Sequence, residues 1–377
     1  MDSSLILIAI VVVIALAFDF TNGFHDTANA MATTITTKAL PPRVAVGIAA
    51  ALNFAGAFIS IKVAATIAEG LVSSSAISLD VVFAALVGAI AWNLVTWYLG
   101  LPSSSSHALI GGTVGATLLA AGTSAVSWAG LVSKVLVPAL AAPLLAAAAA
   151  AALTFLAYRL VRRFRYERSM RGYRWGQIAS SSLVALSHGT NDAQKTMGVI
   201  TLALIANGNL PTSSFQVPTW VILAAATAMA LGTYAGGWRI IRTLGHRVTE
   251  IEPPQGFSAE TASAGVIFAS SALGYPLSTT HVVSGSVAGS GLGRFRRLQS
   301  VRWGVTLQIV LAWVLTLPGA AMLAALAMVG IRALGSDVAG TLAIGVGMAI
   351  AAAILFWVSR RSPVTPDNVN ATVRTTS

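Results

Sequence analysis

Asp26, Asp192 and Lys195 lie deep inside apolar stretches of this chain, beside His25, Asn29, His188 and Asn191. Carboxylates flanked by amide oxygens are hard ligands, suited to Na+, a proton or Mg2+. If a helix continues past Gly23, Asp26 and Asn29 stand three apart and offer a carboxylate and an amide oxygen from one face. A second kind of chemistry comes from hydroxyls. Pro102 is followed by Ser103, Ser104, Ser105, Ser106 and His107, and Pro276 by Leu277, Ser278, Thr279, Thr280 and His281. Proline favours the first turn of a helix, where amide N–H groups lack an intrahelical partner. Such a start presents N–H donors, hydroxyl donors and the positive end of the helix dipole, which together suit a tetrahedral oxyanion.

Each motif occurs twice. The run GFHDTAN at Gly23 answers to GTNDAQK at Gly189, from 23 to 189, an offset of 166 residues. The hydroxyl runs at Pro102 and Pro276 are offset by 174. Two motifs in the same order at nearly the same offset point to a tandem duplication. One lone carboxylate or one N-capping serine run would read as packing; a duplicated pair reads as a site.

The elements that must position these residues follow from composition. Only 9% of the 377 residues are charged, against about a quarter in a soluble domain, and 56% are hydrophobic. So few charges cannot clothe a soluble surface, which excludes a soluble enzyme, a secreted scaffold and a disordered chain. Windows 81–133, 135–158, 196–238, 261–293 and 303–331 hold no Asp, Glu, Lys or Arg. A spanning helix needs about 20 apolar residues, so the chain reads as an all-α polytopic membrane protein of about ten to twelve segments. The net charge of +11 comes mostly from Arg in short loops, which is a topology signal and not a nucleic-acid footprint. There is no cysteine, so thiolate metal sites are excluded.

Loop charge orients the copies. Lys38 and Arg43 follow the first motif, while 207–218 is neutral; Glu69 and Asp80 bound the next loop, where the second copy carries Arg239, Arg242 and Arg247. The neutral stretch 120–128 faces Arg294, Arg296, Arg297 and Arg302 in the second copy. Wherever one copy is basic the other is not, as an odd number of crossings per copy, with the second inverted, predicts. The expected organisation is a first inverted repeat at 1–160, a basic cytoplasmic loop at 161–175, and a second repeat at 176–335. An additional transmembrane helix at 336–358 and a polar tail at 359–377 follow. Each repeat holds about five segments. Stretches 3–37 and 176–207 exceed one straight crossing and must tilt, break or divide, with Asn22-Gly23 and His188-Gly189 as the natural break points. His107 and His281 would either cap or orient the hydroxyls or touch the ligand; Glu260 stands between an interfacial role and a third polar group in the pathway.

GFHDTANA, SHGTNDAQK, PSSSSH and PLSTTH resemble the duplicated signatures of the inorganic phosphate transporter (PiT) family, most closely its bacterial low-affinity members. The resemblance covers nearly the whole chain. It implies a secondary active transporter, not an enzyme, that carries inorganic phosphate across the plasma membrane through inverted repeats with broken or re-entrant helices. It implies substrate contacts at Ser104, Ser105, Ser106, Ser278, Thr279 and Thr280, with Asn191 and Lys195 joining them. It implies coupling-ion contacts at Asp26, Asn29, Asp192 and His25. Two positions depart from many relatives: His25 stands where Asn is common, and the counterpart of Asn29 is Lys195. A histidine beside Asp26, the residue type most often used as a proton carrier, favours proton coupling, and Lys195 supplies a fixed charge in place of a second cation. The coupling ion is thus H+ or Na+, no resident metal or cofactor is expected, and family members also carry phosphate with a divalent metal. A homodimer is compatible with the sequence but not specified by it.

Three rivals remain at this level. One is a carrier of sulfate or another oxyanion on the same scaffold. Another is a membrane-embedded metallohydrolase with His25, Asp26, His188 and Asp192 as ligands, which lacks HxxxH-type pairs and a general base arrangement. The third, a passive channel, fits poorly with a duplicated midplane site.

Overall fold

A backbone in hydrocarbon must satisfy its own hydrogen bonds, and this chain does so with helices throughout. The computed structural model describes residues 3–69, 71–72, 76–211, 215–295, 298–335 and 338–371. The helices of the first repeat are α1 (Ser3–Thr36), α2 (Pro42–Gly56), α3 (Lys62–Glu69), α4 (Leu79–Leu99), α5 (Ser105–Ala121), the short α6 (Trp128–Leu131) and α7 (Val137–Val161). Those of the second are α8 (Tyr166–Ala206), α9 (Thr219–Ala235), α10 (Trp238–His246), α11 (Pro253–Ala272), α12 (Thr279–Phe295) and α13 (Trp303–Ala333), followed by α14 (Val338–Ser359). Arg296 and Arg297, the boundary at 336–337 and the tail beyond 371 lie outside the described residues.

Among the described residues, five stretches are long and apolar enough to cross a membrane: α1, α4, the run Trp128–Val161 through α6 and α7, α13 and α14. The pair α9 and α10, bent by 66°, makes a sixth if counted as one span. The other segments are short or polar. At 17 residues, α5 and α12 reach only about 26 Å, less than a hydrocarbon core of about 30 Å. The polar helix α8 is buried from Ser187 to Leu204 and is shielded there by protein instead of lipid. The lipid-facing surfaces are apolar: Leu140, Leu144 and Leu145 on α7, Leu311, Val314 and Leu315 on α13, and Ile350, Ile354 and Trp357 on α14 are exposed.

Packing between the repeats is reciprocal. Helix α1 packs on α9, and its counterpart α8 packs on α2; α5 packs on α13, and α12 packs on α7. Helices α1 and α8 also lie against each other and run antiparallel. Thr37 bonds Gln177 at 2.7 Å, Asp26 approaches His188 at 3.8 Å, and Asp19 faces Thr196, so positions rise along one helix as they fall along the other.

Asn22-Gly23 and His188-Gly189 do not break their helices, which run unbroken for 34 and 41 residues. The glycines serve close approach instead. A Cβ on Gly23 would meet the Met229 carbonyl and the Thr233 amide of α9; one on Gly189 would meet the Asn53 backbone of α2. Small residues there bring the crossing backbones together, the usual driver of helix association where lipid competes for apolar contacts. The actual departures from straight α-helix lie at Gly236-Gly237, between α9 and α10, and in the π-turn Val132–Leu136 that joins α6 to α7.

Beyond α14 the chain folds back onto α10. Arg239 donates to the Ser362 carbonyl at 2.8 Å, Arg242 to the Asn368 carbonyl at 2.6 Å, and Asn370 to the Ile35 carbonyl at 3.3 Å.

Candidate functional site

Four helix segments supply one polar cluster. Asp26 and Asn29 come from the middle of α1 and His188, Asp192 and Lys195 from the middle of α8, while the hydroxyl runs open α5 and α12. Both hydroxyl runs do begin helices. Ser104 is the N-cap of α5 and accepts from the His107 amide at 3.1 Å; Ser278 accepts from the His281 amide at 3.3 Å. This capping releases the next hydroxyls to point inward.

The inward hydroxyls meet the carboxylates, within each repeat and once across to the other. Ser105 donates to Asp26 Oδ2 at 2.8 Å, Thr280 donates to Asp26 Oδ1 at 3.4 Å, and Thr279 donates to Asp192 Oδ2 at 3.3 Å. Asn29 Nδ2 donates to Thr279 at 3.3 Å and to Thr280 at 3.0 Å, so Asp26 and Asn29 share the face that their spacing predicts. The Lys195 ammonium donates to Asp192 Oδ1 at 2.5 Å, Ser106 Oγ at 2.5 Å and the Leu277 carbonyl at 2.9 Å. His188 Nε2 lies 3.3 Å from Asp192 and 3.8 Å from Asp26, bridging the two acids. Every one of these side chains is no more than 3% exposed, so the cluster is closed to both sides of the molecule.

Two predicted residues occupy the flank. His25 Nδ1 lies 2.7 Å from Asp26 Oδ1, and its Nε2 sits 3.2 Å from Thr96 and 3.3 Å from Ser103. Asn191, its counterpart in the second repeat, donates to Ser271 at 2.9 Å and to the Tyr275 carbonyl at 3.2 Å. Both therefore tie their helix to the end of the preceding repeat element, α4 or α11, and Asn191 turns away from the hydroxyls. His107 and His281 pack edge to face behind the helix starts, with ring centroids 4.7 Å apart, and His281 stacks on Trp313.

One residue whose role the sequence left open, and others it did not single out, complete the surroundings. Glu260, left between two roles above, is buried where α1, α8 and α11 meet. It accepts from Thr33, from Thr34 at 2.7 Å, from Gln177 at 3.2 Å and from Ser180 at 2.5 Å. Asn53 of α2 holds the far nitrogen of His188 at 3.1 Å. Asp19, seven residues before Asp26 on α1, is fully buried. The signal for Asp19 and Thr33 was available: each lies seven residues from Asp26, two helical turns, on the same face.

Charge decides what such a cluster can hold. Asp26 and Asp192 bring two negative charges and Lys195 one positive, with the His188 imidazole between the two acids. A buried anion added to such a cluster is strongly disfavoured unless cations enter with it. The ligand atoms of Asp26, His188 and Asp192 lie within 4.8 Å of one another, a set able to hold a cation.

Comparison with known proteins gives the same direction. Residues 22–324 match the family described as the Phosphate transporter family. The probable low-affinity inorganic phosphate transporter of Mycobacterium tuberculosis (strain ATCC 25618 / H37Rv) is 55% identical over 372 residues, 98% of this chain and 88% of that protein. Its namesake in Bacillus subtilis (strain 168) is 45% identical over 333 residues, 87% of this chain and 98% of that protein. A solved structure described as the sodium-dependent phosphate transporter superposes with a TM-score of 0.73 at 25% identity, covering 87% of this chain and 99% of that one. These relatives are transporters by name, which sets the metallohydrolase aside.

Proposed function

The chain belongs to the phosphate transporter family, a multi-pass membrane protein and not an enzyme, and we propose that it imports inorganic phosphate across the plasma membrane with a cation, H+ or Na+, by alternating access. The observation that carries this reading is the convergence of two hydroxyl-bearing helix starts on two buried carboxylates. The N-terminal ends of α5 and α12 supply dipole and hydroxyl donors to an oxyanion without a rigid cage, so the ligand can leave again. Lys195 fixes Ser106 and lends a permanent positive charge. Two buried carboxylates beside an incoming anion call for cation entry with it, which is the physical basis of symport here. In the proposed topology the N-terminus is outside and the repeats are inverted. Glu260 and its hydroxyl partners then close the cytoplasmic side of the cluster.

A second reading keeps the site and changes the cargo. Two carboxylates and an imidazole within 4.8 Å suit a divalent cation travelling with phosphate as a neutral complex.

Purified protein in liposomes is expected to take up labelled phosphate under an imposed Na+ or H+ gradient, each tested separately, with and without Mg2+. Asp26→Asn and Asp192→Asn are each expected to abolish uptake while still reaching the membrane. No gradient-driven uptake, or near-normal uptake by either variant, rejects the reading. Uptake blocked by excess sulfate as readily as by unlabelled phosphate would reassign the substrate.

A further inference from the structure

We propose that Asp19, Asn22 and Thr196 form a separate binding site for a monovalent metal cation, Na+ by its donor set, on the side of the phosphate cluster opposite Glu260. The site deepens the reading of the chain as a cation-coupled carrier and rests on it. Asp19 and Thr196 are 0% exposed and Asn22 1%. Among the described residues, both carboxylate oxygens of Asp19, Oδ1 of Asn22 and Oγ1 of Thr196 have no hydrogen-bond partner. Asn22 and Thr196 nevertheless face Asp19, with Asp192 and His188 in its electrostatic surroundings.

A buried carboxylate at membrane depth needs a counter-charge or a set of donors. At close range Asp19 has the neutral Asn22 and Thr196 side chains but no counter-charge. It takes part in none of the ion pairs among the described residues, and the ammonium of Lys195 is engaged by Asp192, Ser106 and the Leu277 carbonyl. A bound cation would supply the missing charge and draw the carboxylate, the Asn22 amide oxygen and the Thr196 hydroxyl oxygen into one shell. The donors are all oxygen, which selects a hard cation, and one carboxylate among neutral oxygens balances one positive charge. Mg2+ keeps several waters and demands octahedral geometry, which a dry pocket built on a single carboxylate does not offer.

Position assigns the site a task. Asp19 precedes Asp26 by seven residues, about 10 Å along α1. Thr196 follows Asp192 by four on antiparallel α8, so both steps lead away from Glu260 in the same direction. In the proposed topology that direction is outward, and a cation would be met there before the phosphate cluster. The site exists once. At the offset that relates the repeats, Asp19 corresponds to Ala185 and Asn22 to His188.

The test is 22Na+ binding to the purified full chain without phosphate, followed by phosphate uptake in liposomes against external Na+. Asp19→Asn is expected to bind one Na+ fewer per chain than the unaltered protein, or to need at least tenfold more Na+. Thr196→Val, which keeps the shape and loses one ligand, is expected to shift half-saturation several-fold in the same direction and serves where Asp19→Asn fails to fold. Na+ binding unchanged in both variants overturns the site. So does an unaltered protein that binds no Na+ and takes up phosphate only under a pH gradient. Saturable Na+ binding lost in Asp19→Asn, in a protein that moves no phosphate, would strike the carrier reading and leave the site standing.

Discussion

Replacing Lys195 by Met should separate what this residue does for the fold from what it does for the substrate. Its ammonium is buried and touches Asp192, Ser106 and the Leu277 carbonyl. Breaking a buried ion pair by deleting one partner leaves the other charge stranded and costs about 3–5 kcal/mol. Lys195→Met should lose that much stability in equilibrium unfolding of the purified protein. Removing both charges leaves nothing stranded, so Lys195→Met with Asp192→Asn should recover most of the loss. Lys195→Met with Asp26→Asn should recover far less, because Asp26 bonds Ser105, Thr280 and His25 and not the ammonium. Transport should follow a different rule. A charged hydrogen bond is worth about 1.5–3 kcal/mol, so losing the fixed charge should raise half-saturating phosphate about 10- to 100-fold. The stabilised double variant should not regain it. Equal rescue of stability by Asp192→Asn and Asp26→Asn would refute the pairing, and an unchanged half-saturation in Lys195→Met would refute the role in substrate binding.

Two further outcomes follow from single contacts. Ser105→Ala and Thr279→Ala each delete a hydroxyl that donates to a carboxylate, at 2.8 and 3.3 Å, at a net cost of about 1.5–3 kcal/mol in stability. Each should raise half-saturating phosphate several-fold in the uptake assay, and wild-type values in both would remove the hydroxyls from the anion path. Gly23→Ala should destabilise by about 1–3 kcal/mol, since its new methyl meets the Met229 carbonyl and the Thr233 amide, which are backbone and cannot swing aside. Gly47→Ala, where a Cβ meets nothing within 4 Å, should be neutral or stabilising in the same thermal unfolding measurement.

The helical class and the crossing character were legible because a membrane chain must hide its charges, and 9% charge admits few alternatives. Duplication made the site legible too: no single Asp or serine run would have outweighed a packing explanation, whereas Asp26 with Asp192 and Ser105 with Thr279 did. The glycines misled because a Gly after Asn22 or His188 looks like a break when only the sequence is in view. The neighbouring backbone that requires it, Met229 for Gly23 or Asn53 for Gly189, comes from the other repeat, well over a hundred residues away. Crossing partners that far apart leave no local periodic trace. Asp19 stayed hidden for the opposite reason. It has no twin, so a search for repeats passes over it.

That lack of a twin bears on how a duplicated fold becomes a directional one. The reciprocal packing of α1 on α9 and α8 on α2 gives a frame whose two halves are nearly interchangeable. A frame of that kind, with identical side chains, would present equivalent surroundings toward both sides of the membrane. The substitutions at equivalent positions remove that equivalence. Asn29 corresponds to Lys195, His25 to Asn191, Asn22 to His188 and Asp19 to Ala185. All the fixed positive charge of the cluster comes from the second repeat, and the unpartnered carboxylate comes from the first. An ion travelling along α1 therefore meets Asp19, then the Asp26–Asp192 pair, then Glu260, in an order with no mirror image along α8. The symmetric scaffold allows two openings, and these unmatched residues make the two openings chemically different.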